Sequence, residues 1–217
     1  MTTLDLGTDA VTLTRALCDI PSVSGSEDVI ATAVQDALAA LGHLEVRRDG
    51  NVVVARTDLG RGERVVLAGH LDTVPIAANL PTWTTSTPDG EVVHGRGTVD
   101  MKGGVAVQLR VAATVPEPTR DVTFVFYDNE EVDSEVNGLN RIARERPDWL
   151  AGDFAILLEP SNGTVEGGCQ GTMRVRITLK GKDGLGAGGA KAKLRVTLKD
   201  EAGNRKTLKK AVRLLPG

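Results

Sequence analysis

Two segments near the N-terminus have the apolar spacing of amphipathic helices. Apolar residues from Val11 to Ile20 recur at intervals of three and four, which predicts a first helix. A second helix is predicted from a capping Ser26 to Gly42, because glycine commonly ends helices. Both helices should pack one apolar face against a sheet.

Several apolar runs further along the chain predict strands. The runs LEVRR and NVVVART flank Asp49-Gly50, a dipeptide that suits a tight turn, and they predict a hairpin. Three buried strands are predicted at ERVVLAGHLDTV, DVTFVFYDNEE and DFAILLEPSN, with a helix at residues 101–115. Strands that alternate with helices favour an α/β fold with a largely parallel central sheet.

The pattern changes after Gly171. Residues 173–180 alternate between apolar and polar, which predicts a half-exposed strand, and GKDGLGAGGAKAK is a low-complexity linker. The segments KLRVTLK and KTLKKAVRLL, separated by a DEAGN turn, predict a small antiparallel β element. We therefore divide the chain into an α/β domain at 1–172 and a basic β-rich segment at 173–217.

The composition is that of a globular protein, with 41% hydrophobic and 25% charged residues among 217. The N-terminus has no cationic stretch that leads into an apolar run. No segment approaches the roughly 18 apolar residues that a transmembrane helix requires. We expect a cytoplasmic protein without a membrane partner.

Charge is distributed unevenly along the chain. Residues 180–217 contain eleven Lys and Arg but three Asp and Glu, whereas residues 1–179 contain 15 basic and 26 acidic residues. A basic segment of this kind can contact nucleic-acid phosphates. It contains no aromatic residue for base stacking, however, and alternating lysines also suit a solvated strand face. We therefore favour the strand face and expect no nucleic-acid partner.

Acidic residues and a histidine follow four successive apolar or glycine-rich segments. A single carboxylate at such a position commonly lies in solvent or caps a helix, but four successive segments that end in this way indicate a functional site. Imidazole and carboxylates are ligands that suit Zn²⁺, and two ions about 3.5 to 4 Å apart commonly share a carboxylate. The crevice beyond the carboxyl ends of parallel strands is where such folds bind ligands. The candidates are His70, Asp72, Asp100, Glu130, Glu131 and Glu159.

Four motifs around these candidates resemble those of the zinc aminoacylase and carboxypeptidase family. They are GHLDTVP at 69–75, GRGTVDMKGG at 95–104, NEE at 129–131 and LLEPSNGTVEGGCQGT at 157–172. In order and spacing the resemblance covers about residues 1–180. The residues of the motifs are most similar to those of succinyl-diaminopimelate desuccinylases. The resemblance implies a three-layer exopeptidase-like domain, a homodimer and a small N-acyl amino acid as substrate.

The resemblance also implies a role for each metal-site candidate. His70 would bind the first metal, and Asp72 would fix the orientation of the imidazole ring from behind. Asp100 would bridge both ions, Glu159 would complete the first site and Glu131 would bind the second ion. The cofactor would be one or two Zn²⁺ ions, for which Co²⁺ can substitute.

Glu130 would remain free of metal and act as general base on the attacking water. Adjacent residues of an extended segment point to opposite sides, so Glu130 and Glu131 can share one site only if the chain bends. The neighbouring Asn129 is compatible with such a bend. His43 and His94 are not expected to bind metal.

The resemblance ends after Lys182. The dimerisation or lid domain and the closing histidine ligand of the family have no recognisable counterpart in residues 183–217. We expect a weak second metal site and an impaired enzyme.

The expected function is that of a zinc-dependent amide hydrolase. By the resemblance, it would convert N-succinyl-L,L-diaminopimelate to succinate and L,L-diaminopimelate, for lysine and cell-wall synthesis. Two alternatives stay open. The chain could be an inactive domain that binds a single zinc ion, or a related deacylase such as acetylornithine deacetylase.

Overall fold

A computed structural model of the chain describes residues 3–165, 190–199 and 205–214. The chain divides into two compact units, residues 1–166 and 167–217, and each is described by itself. The domain boundary predicted at residue 172 lies outside the described residues, as does the strand predicted at 173–180.

The two N-terminal helices are α1 (Ala10–Cys18) and α2 (Asp28–Ala39). The Asp9 carboxylate caps α1 by accepting hydrogen bonds from the backbone N–H groups of Val11 and Thr12 in its first turn. The second helix begins two residues after the predicted Ser26 cap, and Glu27 at its N-cap position makes no capping side-chain bond. The Glu27 carboxylate instead accepts hydrogen bonds from the backbone N–H groups of Gly25 and Asn129.

The first unit is built on a mixed sheet. Its strands and a separate hairpin are β1 (Glu45–Asp49), β2 (Val52–Arg56), β3 (Arg64–His70), β4 (Trp83–Thr87), β5 (Gly90–His94), β6 (Asp121–Tyr127) and β7 (Phe154–Leu157). The sheet order is β1-β2-β6-β3-β7, in which β6, β3 and β7 are parallel and β1 and β2 add antiparallel neighbours. The predicted α/β fold is confirmed, with a parallel arrangement at the strands that precede the candidate site.

Helices cover both faces of this sheet. Val53 and Ala55 of β2 face a core formed with α1, α2 and α3 (Lys102–Thr114), whereas Val52 and Val54 face a second core with Ile142 of α4 (Gly138–Glu145). The alternation follows from the period of two along a strand. The result is the three-layer arrangement that the resemblance implies.

The predicted hairpin around Asp49-Gly50 is confirmed, since β1 and β2 pair across it and Gly50 has a φ of 56°. In the second unit, β8 (Ala190–Lys199) and β9 (Arg205–Leu214) pair in antiparallel fashion, as predicted for the C-terminal element. Within the part of the chain that the structure describes, no helix is long and apolar enough to cross a membrane.

Candidate metal centre

The ends of three neighbouring parallel strands bring the predicted site residues together. His70 is the last residue of β3, Glu130 and Glu131 follow β6, and Glu159 follows β7. Because β6, β3 and β7 are adjacent and parallel, their carboxyl ends meet at one edge of the sheet. Asp100 reaches the same edge from the loop that precedes α3, and its peptide bond to Met101 is cis.

The side chains of His70, Asp100 and Glu131 place one potential ligand atom each within 4.8 Å of one another. His70 Nε2 lies 3.1 Å from Asp100 Oδ1 and 3.8 Å from Glu159 Oε1. These distances are of the order found between donor atoms that surround one ion with bonds of about 2 Å. The donor set of one imidazole and several carboxylates suits a divalent metal ion such as zinc.

The electrostatics of this cluster also fit a cation. Burial, together with repulsion from Asp100, Glu130 and Glu131, outweighs the attraction of His70 and raises the pKa of Glu159 to about 7. Burial and Asp100 likewise raise the pKa of Glu131. A divalent ion among these carboxylates would favour their charged forms and relieve the repulsion.

Hydrogen bonds determine which nitrogen of His70 faces the cluster. Burial lowers the pKa of His70, but hydrogen bonds to the Asp100 and Asp72 carboxylates, together with the charges of Asp72 and Glu159, outweigh burial and raise the pKa to about 10. His70 Nδ1 lies 3.0 Å from the backbone oxygen of Asp72 and 3.3 Å from its Oδ1. A metal ion that displaced the proton of Nε2 would leave Nδ1–H donating to Asp72, and Nε2 would then be the nitrogen that faces the ion.

Asp72 is fully buried and connects two strand ends. Its carboxylate accepts the Ser24 hydroxyl at 2.7 Å and the backbone N–H groups of Glu130 and Glu131 at 3.0 and 3.1 Å. Burial raises the pKa of Asp72, but these bonds and the one to His70 outweigh it and lower the pKa. The carboxylate is therefore held charged, as an acceptor for four donors.

The bend that the sequence requires before Glu130 is present at Asn129. Asn129 has a φ of 59°, in the left-handed region that asparagine adopts more readily than most residues. The bend lets the N–H groups of both Glu130 and Glu131 reach Asp72. Glu131 joins the potential ligand group, and Glu130 lies near enough to raise the pKa of Glu159.

Sequence analysis missed several residues that support the centre. The Lys102 ammonium is buried and donates to the Leu17 and Ile20 carbonyls at 3.0 and 2.8 Å, which ties the start of α3 to the end of α1. Burial lowers its pKa to about 8. Ser24, which binds Asp72, is 48 residues away in sequence, and no local pattern links the two. The position of Lys102 two residues after Asp100, inside GRGTVDMKGG, was the available signal.

A cavity of about 320 Å³ opens beside the cluster, lined by Val74, residues 95–99, Asp100 and Glu131.

His43 and His94, the two histidines that were not expected to bind metal, make contacts elsewhere. His43 Nε2 is 3.0 Å from the Ala112 carbonyl oxygen, and His94 stacks on Trp83 at a centroid distance of 5.1 Å.

The profile of peptidase family M20/M25/M40 matches residues 66–206, which is more than half of the chain. The chain belongs to this family. The match includes the segments that carry all six candidate residues, and it reaches residue 206, past Lys182, after which the resemblance was expected to end.

Two relatives of this M20 chain are named as succinyl-diaminopimelate desuccinylases. A Mycobacterium tuberculosis protein provisionally named as a succinyl-diaminopimelate desuccinylase is 55% identical over 179 residues, covering 82% of this chain and 49% of its own length. The succinyl-diaminopimelate desuccinylase of Corynebacterium glutamicum is 49% identical over 183 residues, covering 82% of this chain and 48% of the relative. The chain thus spans about half the length of these curated relatives.

The fold is similar to that of a solved peptidase structure. A tripeptidase from Staphylococcus aureus superposes with a TM-score of 0.57 over 72% of this chain and 44% of the tripeptidase, at 24% sequence identity. At this identity the likeness concerns the fold alone. It agrees with the three-layer arrangement of the first unit.

Proposed function

We propose that this chain is the metal-binding part of an amide hydrolase that acts on N-succinyl-L,L-diaminopimelate. The products would be succinate and L,L-diaminopimelate. The observation that carries the proposal is the convergence of His70, Asp100 and Glu131, with Glu159 beside them, at the carboxyl ends of parallel strands. The names of the two relatives supply the substrate.

The metal would be zinc, with cobalt able to replace it. His70, Asp100 and Glu159 would hold the first ion, and Glu131 with a shared Asp100 would hold a second. A bound zinc ion lowers the pKa of water to about 7 and polarises a carbonyl group. The role of Asp72 is to fix the His70 ring and the Glu130–Glu131 backbone at the same time.

Glu130 would be the general base. Its backbone N–H donates to Asp72, and its carboxylate is not one of the three potential metal ligands His70, Asp100 and Glu131. The carboxylate takes a proton from the attacking water as the oxygen bonds to the amide carbon. It then returns that proton to the nitrogen as the carbon–nitrogen bond breaks. The amide and water thus yield a carboxylic acid and an amine, which at neutral pH become a carboxylate and an ammonium ion.

The adjoining cavity would receive part of the substrate, since it lies directly against Asp100 and Glu131. The homodimer that the resemblance implies and the cytoplasmic location expected from the sequence belong to the same proposal. Light scattering on the purified chain checks the homodimer.

A metal count combined with a substrate panel tests the proposal. Dialysed protein is analysed for zinc and then assayed with N-succinyl-L,L-diaminopimelate, N-acetylornithine and a dipeptide. We expect bound zinc and a preference for the succinyl substrate. A chain that retains no zinc contradicts the proposal. Bound zinc without hydrolysis of any of the three supports the inactive zinc-binding domain, and a preference for N-acetylornithine supports the related deacylase.

A further inference from the structure

The segment 22–27, with the sequence SVSGSE, lies against the two loops that carry the centre. The Ser22 hydroxyl donates to the Leu71 carbonyl at 2.7 Å, and Thr73 N–H donates to the Ser22 carbonyl at 2.9 Å. Ser24 N–H donates to the Thr73 carbonyl at 3.2 Å. These bonds attach the segment to the loop after β3, in which Asp72 lies.

Glu27 extends this attachment to the loop after β6. Its side chain has 0% exposure, and Oε1 accepts the backbone N–H groups of Gly25 at 2.9 Å and Asn129 at 3.3 Å. Asn129 is the residue with φ of 59° that directly precedes Glu130. One carboxylate oxygen therefore lies at the point where the chain turns toward the metal centre.

The burial of Glu27 is costly for the fold. Its Oε2 has no hydrogen-bond partner among the described residues, and burial raises the pKa of the carboxyl group. A buried carboxyl group without a cationic partner destabilises a protein relative to an apolar side chain of similar size. Stability alone therefore does not account for a glutamate here, and its contact with the Asn129 bend offers a reason.

We propose that Glu27 is a positioning residue that holds the Asn129 bend and thereby places Glu130 and Glu131 at the metal centre. The inference rests on the proposed function, because it assigns no chemistry to Glu27 itself. Its effect passes through one backbone N–H group to two neighbouring side chains.

The chain contains a matched control at the opposite end of β6. Asp121 is also buried, and its carboxylate accepts the backbone N–H groups of Leu59 at 2.9 Å and Arg61 at 2.8 Å. Asp121 begins β6, whereas the metal centre lies beyond the end of that strand. Changes at Asp121 therefore report the cost of losing a buried carboxylate without a change at the centre.

Cobalt titration followed by visible absorption tests the inference, because the spectrum reports the geometry of the ligands independently of stability or activity. We expect Glu27→Leu to weaken Co²⁺ binding by about 10- to 100-fold, the range for residues that orient metal ligands, and to alter the spectrum. Glu27→Gln keeps an oxygen acceptor and should restore the wild-type spectrum. Asp121→Asn should lower the unfolding midpoint and leave the spectrum and affinity unchanged.

Wild-type affinity and spectrum in folded Glu27→Leu would overturn the inference and leave the proposed function intact. If Glu27→Leu does not fold, Glu27→Asp decides in the same way, because its shorter side chain withdraws the acceptor from Asn129 but keeps the carboxylate. Failure of the wild-type chain to bind Co²⁺ contradicts the proposed function and the inference with it.

Discussion

The Asp72 carboxylate accepts the backbone N–H of Glu130 at 3.0 Å. The same carboxylate contacts His70 Nδ1 at 3.3 Å, so one buried side chain joins the end of β3 to the loop after β6. The proposed ligand on one strand and the proposed base on the next are therefore not independent. A change at Asp72 should alter both.

Asp72→Asn tests this connection. One end of the amide is a donor, so it cannot accept every bond that the carboxylate accepts from Ser24, His70 and the two backbone N–H groups. We expect zinc affinity to fall by about 10- to 100-fold, as measured by isothermal titration. The free energy of unfolding should fall by about 1 to 3 kcal/mol.

The exposed Asp89, in the turn between β4 and β5, provides the control for Asp72→Asn. Asp89→Asn removes the same charge away from the centre and should leave both measurements unchanged. Equal zinc affinity in Asp72→Asn and the wild type would show that Asp72 does not orient His70.

The sequence predicted the strands of the site because their signals are local. Each of these strands is an apolar run that ends in His70 or is followed within a few residues by Glu, so the run and the candidate appear together. The predicted burial of β7 is wrong, however, because all four of its residues are exposed at the edge of the sheet. The helix α4 was not predicted. It has eight residues, half of them polar, and Ile142 is its main buried side chain, which gives too short an apolar pattern.

The supporting residues were not predictable because their partners are distant in sequence. Glu27 lies 102 residues before Asn129, and the Lys102 ammonium binds carbonyl groups 82 and 85 residues earlier. Neither contact follows from a local pattern. Each depends on which loops the sheet order brings together, and that order becomes known only from the fold.

Glu130→Gln tests the proposed base in a preparation that hydrolyses the succinyl substrate. The amide keeps the shape of the side chain but cannot accept the proton of water, so we expect the rate to fall by about 100- to 10,000-fold. Zinc content, measured by elemental analysis, should not change. Glu131→Gln is the comparison and should lose zinc. Loss of zinc in Glu130→Gln instead would show that the roles of these two residues are exchanged.

Gly104→Ala tests the position of Glu159. A Cβ atom at Gly104 on α3 would clash with the backbone oxygen of Leu158, the residue before Glu159, so the backbone must shift. We expect a loss of about 1 to 3 kcal/mol in the free energy of unfolding and weaker zinc binding. Gly62→Ala is the control, because a Cβ there meets nothing within 4 Å and should change neither quantity. Unchanged zinc affinity in Gly104→Ala would exclude Glu159 as a ligand that depends on this contact.

Asp121 should make stability depend on pH in the acid range. Burial raises its pKa, but hydrogen bonds from Leu59, Thr57 and Arg61 and the charge of Arg64 outweigh it and lower the pKa from 3.8 to about 2. A lowered pKa contributes stability that is present above pH 3.8 and is lost as the pH falls toward about 2.

The Asp121→Asn variant isolates this contribution. The difference in free energy of unfolding between the wild type and the variant should be constant above pH 3.8 and shrink as the pH approaches about 2. Urea unfolding of both proteins across this range measures the difference. A difference that stays constant throughout would show that the Asp121 carboxylate is not preferentially charged in the folded state.

The last prediction concerns the number of zinc ions that this chain binds tightly. The first ion can draw on His70, Asp100 and Glu159, which gives the three protein ligands expected of a catalytic zinc. A second ion has Glu131 and a share of Asp100, and it also meets repulsion from the first. We therefore expect one tightly bound zinc ion in dialysed protein, with a second that binds only at high zinc concentration. Titration calorimetry with elemental analysis measures both. Two ions of equally high affinity would contradict the prediction and would mean that His94 or a second copy of the chain supplies another donor.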